Sequence, residues 1–120
     1  MGDLLIILKE NMPEEKITDE DISDNLNRFF ASAKTDWETN IETSTGRTMI
    51  VFTSIENDAM FAVERKNKSY CSCSGVHIKS NQGMETHLHE NAEKIMIKLV
   101  EIMRTFDYFA EVFIDYSKDA

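Results

Sequence analysis

Between Met84 and Phe106 apolar residues return at steps of three and four, and a chain carrying such a stretch must find a flat apolar surface to lay it on. Met84, Leu88, Ala92, Ile95, Leu99, Ile102 and Phe106 stack along one side of a helix of about six turns, and Met96, Val100 and Met103 widen the stripe. Asn91, Lys94, Lys98, Glu101 and Arg104 fall on the opposite side. The spacing therefore predicts a long helix packed on a sheet, with its other face in water. It describes a scaffold and implies no reaction.

The sheet itself is legible upstream. From Trp37 the period changes to two: Trp37, Thr39, Ile41 and Thr43 alternate with Glu38, Asn40 and Glu42, as in a strand with one solvated face. Thr45 and Gly46 supply a turn into Arg47 to Ile55, which is apolar on both faces and belongs in the middle of a sheet. Asn57 and Asp58 tolerate left-handed backbone and lead into a strand from Met60 to Arg65. Asn67 and Lys68 repeat the device before Ser69 to Lys79, bent or bulged at Gly75. After the long helix, Tyr108, Ala110, Val112, Ile114 and Tyr116 alternate with Phe109, Glu111, Phe113 and Asp115, so the chain closes on a strand with one fully apolar face.

At the other end, Asp3 can cap a short helix from Leu4 to about Asn11, the alternative for the apolar run Leu4 to Leu8 being a buried strand. Pro13, Glu14, Glu15 and Lys16 break the pattern. Thr18 with Asp21 resembles a capping box, and Ile22, Leu26, Phe29, Phe30 and Ala33 mark an amphipathic helix ending near Lys34. The expected fold is α+β, a single domain over residues 1–120. It has two N-terminal helices, a four-stranded antiparallel meander, a long helix packed on the sheet and a C-terminal strand. A length of 120 residues suits one core and is too short for two.

The net charge of −9 bears on function. Nucleic-acid binders neutralise phosphates with Lys and Arg, so this balance argues against that class and favours attraction to basic partners. Asp3 stands where a signal peptide carries positive charge, and no apolar run reaches the length of a bilayer crossing. Cys71 and Cys73, one residue apart, would make a poor disulfide, so a reducing cytoplasmic location is expected.

Candidate chemistry is sparse. Cys71, Cys73 and His77 would share one face of an unbroken strand, followed by His87 and His89, and zinc takes such sulfur and nitrogen ligands. The C-x-C spacing, and histidines that a helix would aim apart, argue against that site, so no cofactor is expected. Cys73 with His77 or His87 would be a thiol and base pair, but no third orienting residue or oxyanion-binding loop accompanies it. The chain has no G-x-S-x-G, no glycine-rich phosphate loop and no H-E-x-x-H. These features predict a protein that is not an enzyme.

The carboxylates say more. Glu14, Glu15, Asp19, Glu20, Asp21 and Asp24 crowd one short stretch, relieved by Lys16 alone. Asp19, Glu20 and Asp21 complement a helix N-terminus, whereas Glu14, Glu15 and Asp24 are not needed for that. The stretch lacks the glycine and closing glutamate of a calcium loop. With Glu38, Glu42, Glu56, Asp58 and Glu64 it suggests a negative surface offered to a cationic partner. Phe109 and Phe113 lie opposite the apolar row of the last strand. On an edge strand they would mark a place for strand addition or for a homodimer through that strand.

This profile of size, charge and element order is similar to that of bacterial immunity proteins, which neutralise toxin domains that are often nucleases with a basic cleft. It is also similar to that of secretion chaperones, acidic α+β dimers that hold an extended effector segment. The first resemblance implies inhibition by occlusion through Glu14, Glu15, Asp19, Glu20, Asp24, Glu38 and Glu42, with the carboxylates standing in for phosphates.

Overall fold

The computed structural model describes residues 2–11, 17–72, 78–79, 86–87 and 92–117. Its elements run β1 (Asp3–Leu8), α1 (Asp19–Ser32), β2 (Glu38–Ser44), β3 (Arg47–Ser54), β4 (Ala59–Lys66) and β5 (Ser69–Cys71). They continue with β6 (Ile78–Lys79), β7 (Thr86–His87), α2 (Ala92–Met103) and β8 (Phe109–Asp115). Six strands form one sheet in the order β2-β3-β4-β5-β1-β8, every neighbouring pair antiparallel, while β6 and β7 pair separately.

The N-terminal run is the largest departure from expectation. In place of a first helix, Leu4 to Leu8 forms a strand inserted between β5 and β8, so the two-helix start and the four-stranded sheet are both corrected. Leu4, Ile6 and Leu8 are buried on one face of the sheet and Leu5 and Ile7 half-buried on the other, a two-sided environment that suits an unbroken apolar run. A helix this short has little stability of its own in water, whereas a strand between two neighbours has its backbone groups paired on both sides. Burying Leu4, Ile6 and Leu8 contributes about 1.5–3 kcal/mol each. Gly2 precedes this strand where a Cβ would run into the Ile114 side chain and the Asp115 carbonyl, so the chain enters hard against β8.

The long helix is also shorter than its stripe. Thr86 and His87 pair with β6, so the helix does not start near Met84; α2 runs from Ala92 to Met103. Hydrogen bonds from the Thr105 and Phe106 amides to Ile102 and Met103 then tighten and end it. Its buried residues are Met96, Leu99, Val100 and Met103, with Ile95 and Ile102 packed at the margin. The expected bend at Gly75 lies outside the described residues.

α1 starts with a true reciprocal cap: the Thr18 hydroxyl accepts from the Asp21 amide and the Asp21 carboxylate from the Thr18 amide, both at 3.1 Å. Ile22, Leu26 and Phe30 face the sheet. Both helices lie on the same face, over Ile50, Phe52, Phe61, Val63, Tyr70, Ile6, Val112 and Phe109. Phe52 and Phe61 stack across β3 and β4 at 5.0 Å, with Trp37 edge-on to Phe61 at 5.9 Å. Phe29 of α1 stacks on Phe106 just beyond α2 at 4.4 Å, which ties the two helices together.

Hairpin chemistry decides the rest. Thr45 and Gly46, at φ 50° and 78°, are the two central residues between paired Ser44 and Arg47, and their left-handed conformations match strand twist. The β3 to β4 connection is longer, residues 55–58, with Asp58 at φ 49° and its amide on the Ile55 carbonyl at 3.1 Å. Asn67, at φ 58°, turns β4 into β5.

Candidate functional site

The acidic side of the molecule is built where α1 crosses β2, the strand at one edge of the sheet. Ser23 and Asn27 are one helical turn apart on α1, and both reach Thr39. The Asn27 Oδ1 accepts from the Thr39 amide at 2.6 Å, and its Nδ2 donates to the Thr39 carbonyl at 3.0 Å. One side chain thus occupies both outward groups of that residue, as a neighbouring strand would. The Ser23 and Thr39 hydroxyls are 2.6 Å apart and buried, which fixes the helix on the strand.

Beyond this clamp, at the C-terminal end of α1, lies a cleft of about 530 Å³. Asn27, Ala31, Thr35, Asp36, Trp37, Glu38, Thr39, Thr53 and Ile55 line it. Asp36 is held on its rim: its two carboxylate oxygens accept from the Ser54 hydroxyl at 2.6 Å and from the Glu56 amide at 2.8 Å. Partial desolvation pushes its pKa up, but these bonds and one from the Ile55 amide outweigh that and hold it below the ordinary carboxylate range. Asp36 is therefore ionised at neutral pH, beside exposed Glu38 and Glu56. The last turn of α1 carries no basic side chain, so the negative end of its dipole adds to the same field, offset in part by exposed Lys34 just beyond the Ala33 cap. Ile55, 81% exposed, projects beside these charges, the most exposed large apolar side chain among the described residues.

The acids singled out from sequence are divided by the fold. Glu14 and Glu15 lie outside the described residues. Asp19 is half-buried and accepts the Tyr70 hydroxyl at 2.5 Å, which joins the start of α1 to β5. Burial first, then the Asp19 carboxylate, raise the Tyr70 pKa well above the usual phenol range, so the hydroxyl remains a donor. Glu20 and Asp24 are exposed on α1, whereas Glu38 and Glu42 are exposed on β2, on the face turned away from the helices. The two pairs flank the β2 edge from opposite sides.

Phe109 and Phe113, expected to share one face, are separated. A register shift opposite Ile7 and Leu8 turns Phe109 into the core, where it is buried, and leaves Phe113 half-buried across from Leu5. β8 is an edge strand, but the Arg104 Nε donates to its Val112 carbonyl at 3.0 Å. Of the candidate metal ligands, Cys71 is buried in β5 and His87 stands in β7, while Cys73 and His77 lie outside the described residues. Among the described residues no three of His, Cys, Asp and Glu gather as ligands.

Asn27, Asp36 and Ile55 were not singled out from sequence. One signal pointed toward them: Asn27, a poor helix former, follows Ser23 by four residues beside the apolar stripe; Ile55 was expected to end the second strand, which stops at Ser54 and leaves it in the turn. No helix among the described residues is long and apolar enough to cross a membrane. Comparison with protein-family models, curated proteins and solved structures finds no match to this chain.

Proposed function

We propose that this chain is a non-catalytic protein-binding module that occludes a basic surface of its partner, in the manner of an inhibitor of the immunity-protein type. The observation that carries this reading is the corner where α1 meets β2. Around one cleft it gathers an ionised Asp36, exposed Glu38 and Glu56, a helix C-terminus and the exposed Ile55. Glu20 and Asp24 on one side and Glu42 on the other extend the negative surface. Arg47, on the same strand pair, is engaged by Glu64 and does little to offset it.

Such a surface suits a cleft lined with Lys and Arg, of the kind that binds phosphates. The carboxylates take the phosphate positions, long-range attraction speeds encounter, and Ile55 adds apolar contact once water is expelled. We favour this over a chaperone-like dimer through β8, because that edge already has Arg104 on the Val112 carbonyl and Phe109 turned inward.

The test is to isolate the binding partner from the source organism and measure association rates by stopped flow. The wild type is compared with a variant carrying Glu20→Lys, Asp24→Lys, Glu38→Lys and Glu42→Lys. A fall of about tenfold or more in the rate, with a steep salt dependence in the wild type and an unchanged melting temperature, is expected. An unchanged rate, or a partner whose contact surface is acidic, overturns the reading.

A further inference from the structure

Antiparallel strands alternate between residues whose amide and carbonyl point into the pair and residues whose groups point away. In β2 the Thr39 groups are taken by Asn27, so Thr39 is of the outward kind, and so by alternation are Ile41 and Thr43. No second clamp follows: among the described residues nothing occupies the outward groups of Ile41 and Thr43. Ile41 is half-buried, Thr43 is exposed, and the strand runs in unbroken register with β3 from Glu38 to Ser44. β2 carries no proline, lysine or bulge; its defence as an edge strand is the acids Glu38 and Glu42, which repel an acidic strand and leave a basic one free to pair.

We infer that the Ile41 to Thr43 edge of β2 is a strand-addition site for an extended basic segment of a partner protein. The inference rests on the reading above and specifies how the partner is held. Main-chain bonds to Ile41 and Thr43 supply affinity, and Glu42 and Glu38, which project alternately with them, select Lys or Arg at every second position of the incoming strand. Charge also decides between occupants. A second copy paired antiparallel through Ile41 and Thr43 would set Glu42 against Glu42, on a chain of net charge −9. Asn27 sets the limit of the site, because a strand advancing past Ile41 meets its side chain on Thr39 and must turn its own side chains toward the cleft beside Trp37.

The probe is a short capped peptide alternating lysine and valine, titrated into the full chain and followed by calorimetry and by amide exchange. Exchange at Ile41 and Thr43 is expected to slow on binding. N-methylation at every second peptide residue is expected to weaken binding about tenfold or more in one phase and to leave it in the other, since strand addition uses alternate amides. Thr43→Pro removes an outward donor that β3 does not use, so the variant should melt as the wild type does and lose the peptide. Glu38→Gln with Glu42→Gln should weaken the lysine peptide as well.

The two readings fail differently. If both N-methylated phases bind as well as the parent while the glutamine variant does not, the strand-addition inference falls and the acidic-surface reading stands. If the phase effect is present but the glutamine variant binds normally, the edge is a docking site and the preference for a basic partner is wrong. A peptide that does not bind at millimolar concentration, or a wild-type dimer in sedimentation that Thr43→Pro dissociates, overturns the inference.

Discussion

At β8 the edge of the sheet is folded into the core, whereas at β2 most of it lies in water. Phe109 and Val112 are buried beneath α2, the ladder to β1 carries a register shift, and Arg104 sits on an edge carbonyl. β2 has buried Thr39 at one end, and from Glu42 onward every residue of the strand is exposed. Its single clamp, Asn27, closes the end under α1 and no more. One edge is a wall of the core, then, and the other is held by a polar contact and left open where the acids are. A fold that covers one face of its sheet with two helices can still differ this much between its edges.

The largest expected effect tests whether the β8 edge is a core element. Phe109→Ala should cost about 3–5 kcal/mol in urea unfolding, while Ile41→Ala, half-buried on the other edge, should cost about 1 kcal/mol. Equal costs would break the comparison. Next comes the clamp: Asn27→Leu leaves the Thr39 amide and carbonyl without their partner and should cost about 1–3 kcal/mol. It should also speed amide exchange at Thr39 while leaving exchange in β8 unchanged; a change confined to β8 would mean that Asn27 does not secure the β2 edge.

The smallest effect concerns Asp36, which ties the β3 to β4 connection to the start of β2. Its folded pKa lies below the ordinary 3.8, so its contribution is complete above that pH and is lost as pH falls through the lower folded value. Asp36→Asn should therefore lower stability at neutral pH and flatten the loss of stability below about pH 4. An acid limb as steep as that of the wild type would show that Asp36 is not one of the groups responsible.

The second helix of the expected order could be recognised in advance because its information is local. Thr18 and Asp21 cap it, and Ile22, Leu26 and Phe30 repeat at the helical period whatever lies nearby. The turn at Thr45 and Gly46 was equally plain, since positive φ is a demand on two residues. The site was less visible. Its acids were legible as charge, but which side of β2 each would occupy depends on strand alternation combined with where α1 lands. Asp19 was legible as a helix-start acid, while its bond to Tyr70 spans residues far apart in sequence.

Elements with a clean period are legible from their own spacing: α1, the alternation of β2 and the apolar stripe of α2. Tertiary structure decided the rest. Leu4 to Leu8 has no period, so helix and strand bury the same side chains, and the slot between β5 and β8 settled the matter by offering partners on both sides. In the same way β7 takes Thr86 and His87 out of the helical stripe, and α2 runs from Ala92 to Met103. Phe109 and Phe113 share a parity in the sequence, and a shift in register placed them on different faces. Periodicity states which residues belong on one face; for strands, pairing states where that face points, because a strand's backbone hydrogen bonds are made with other segments.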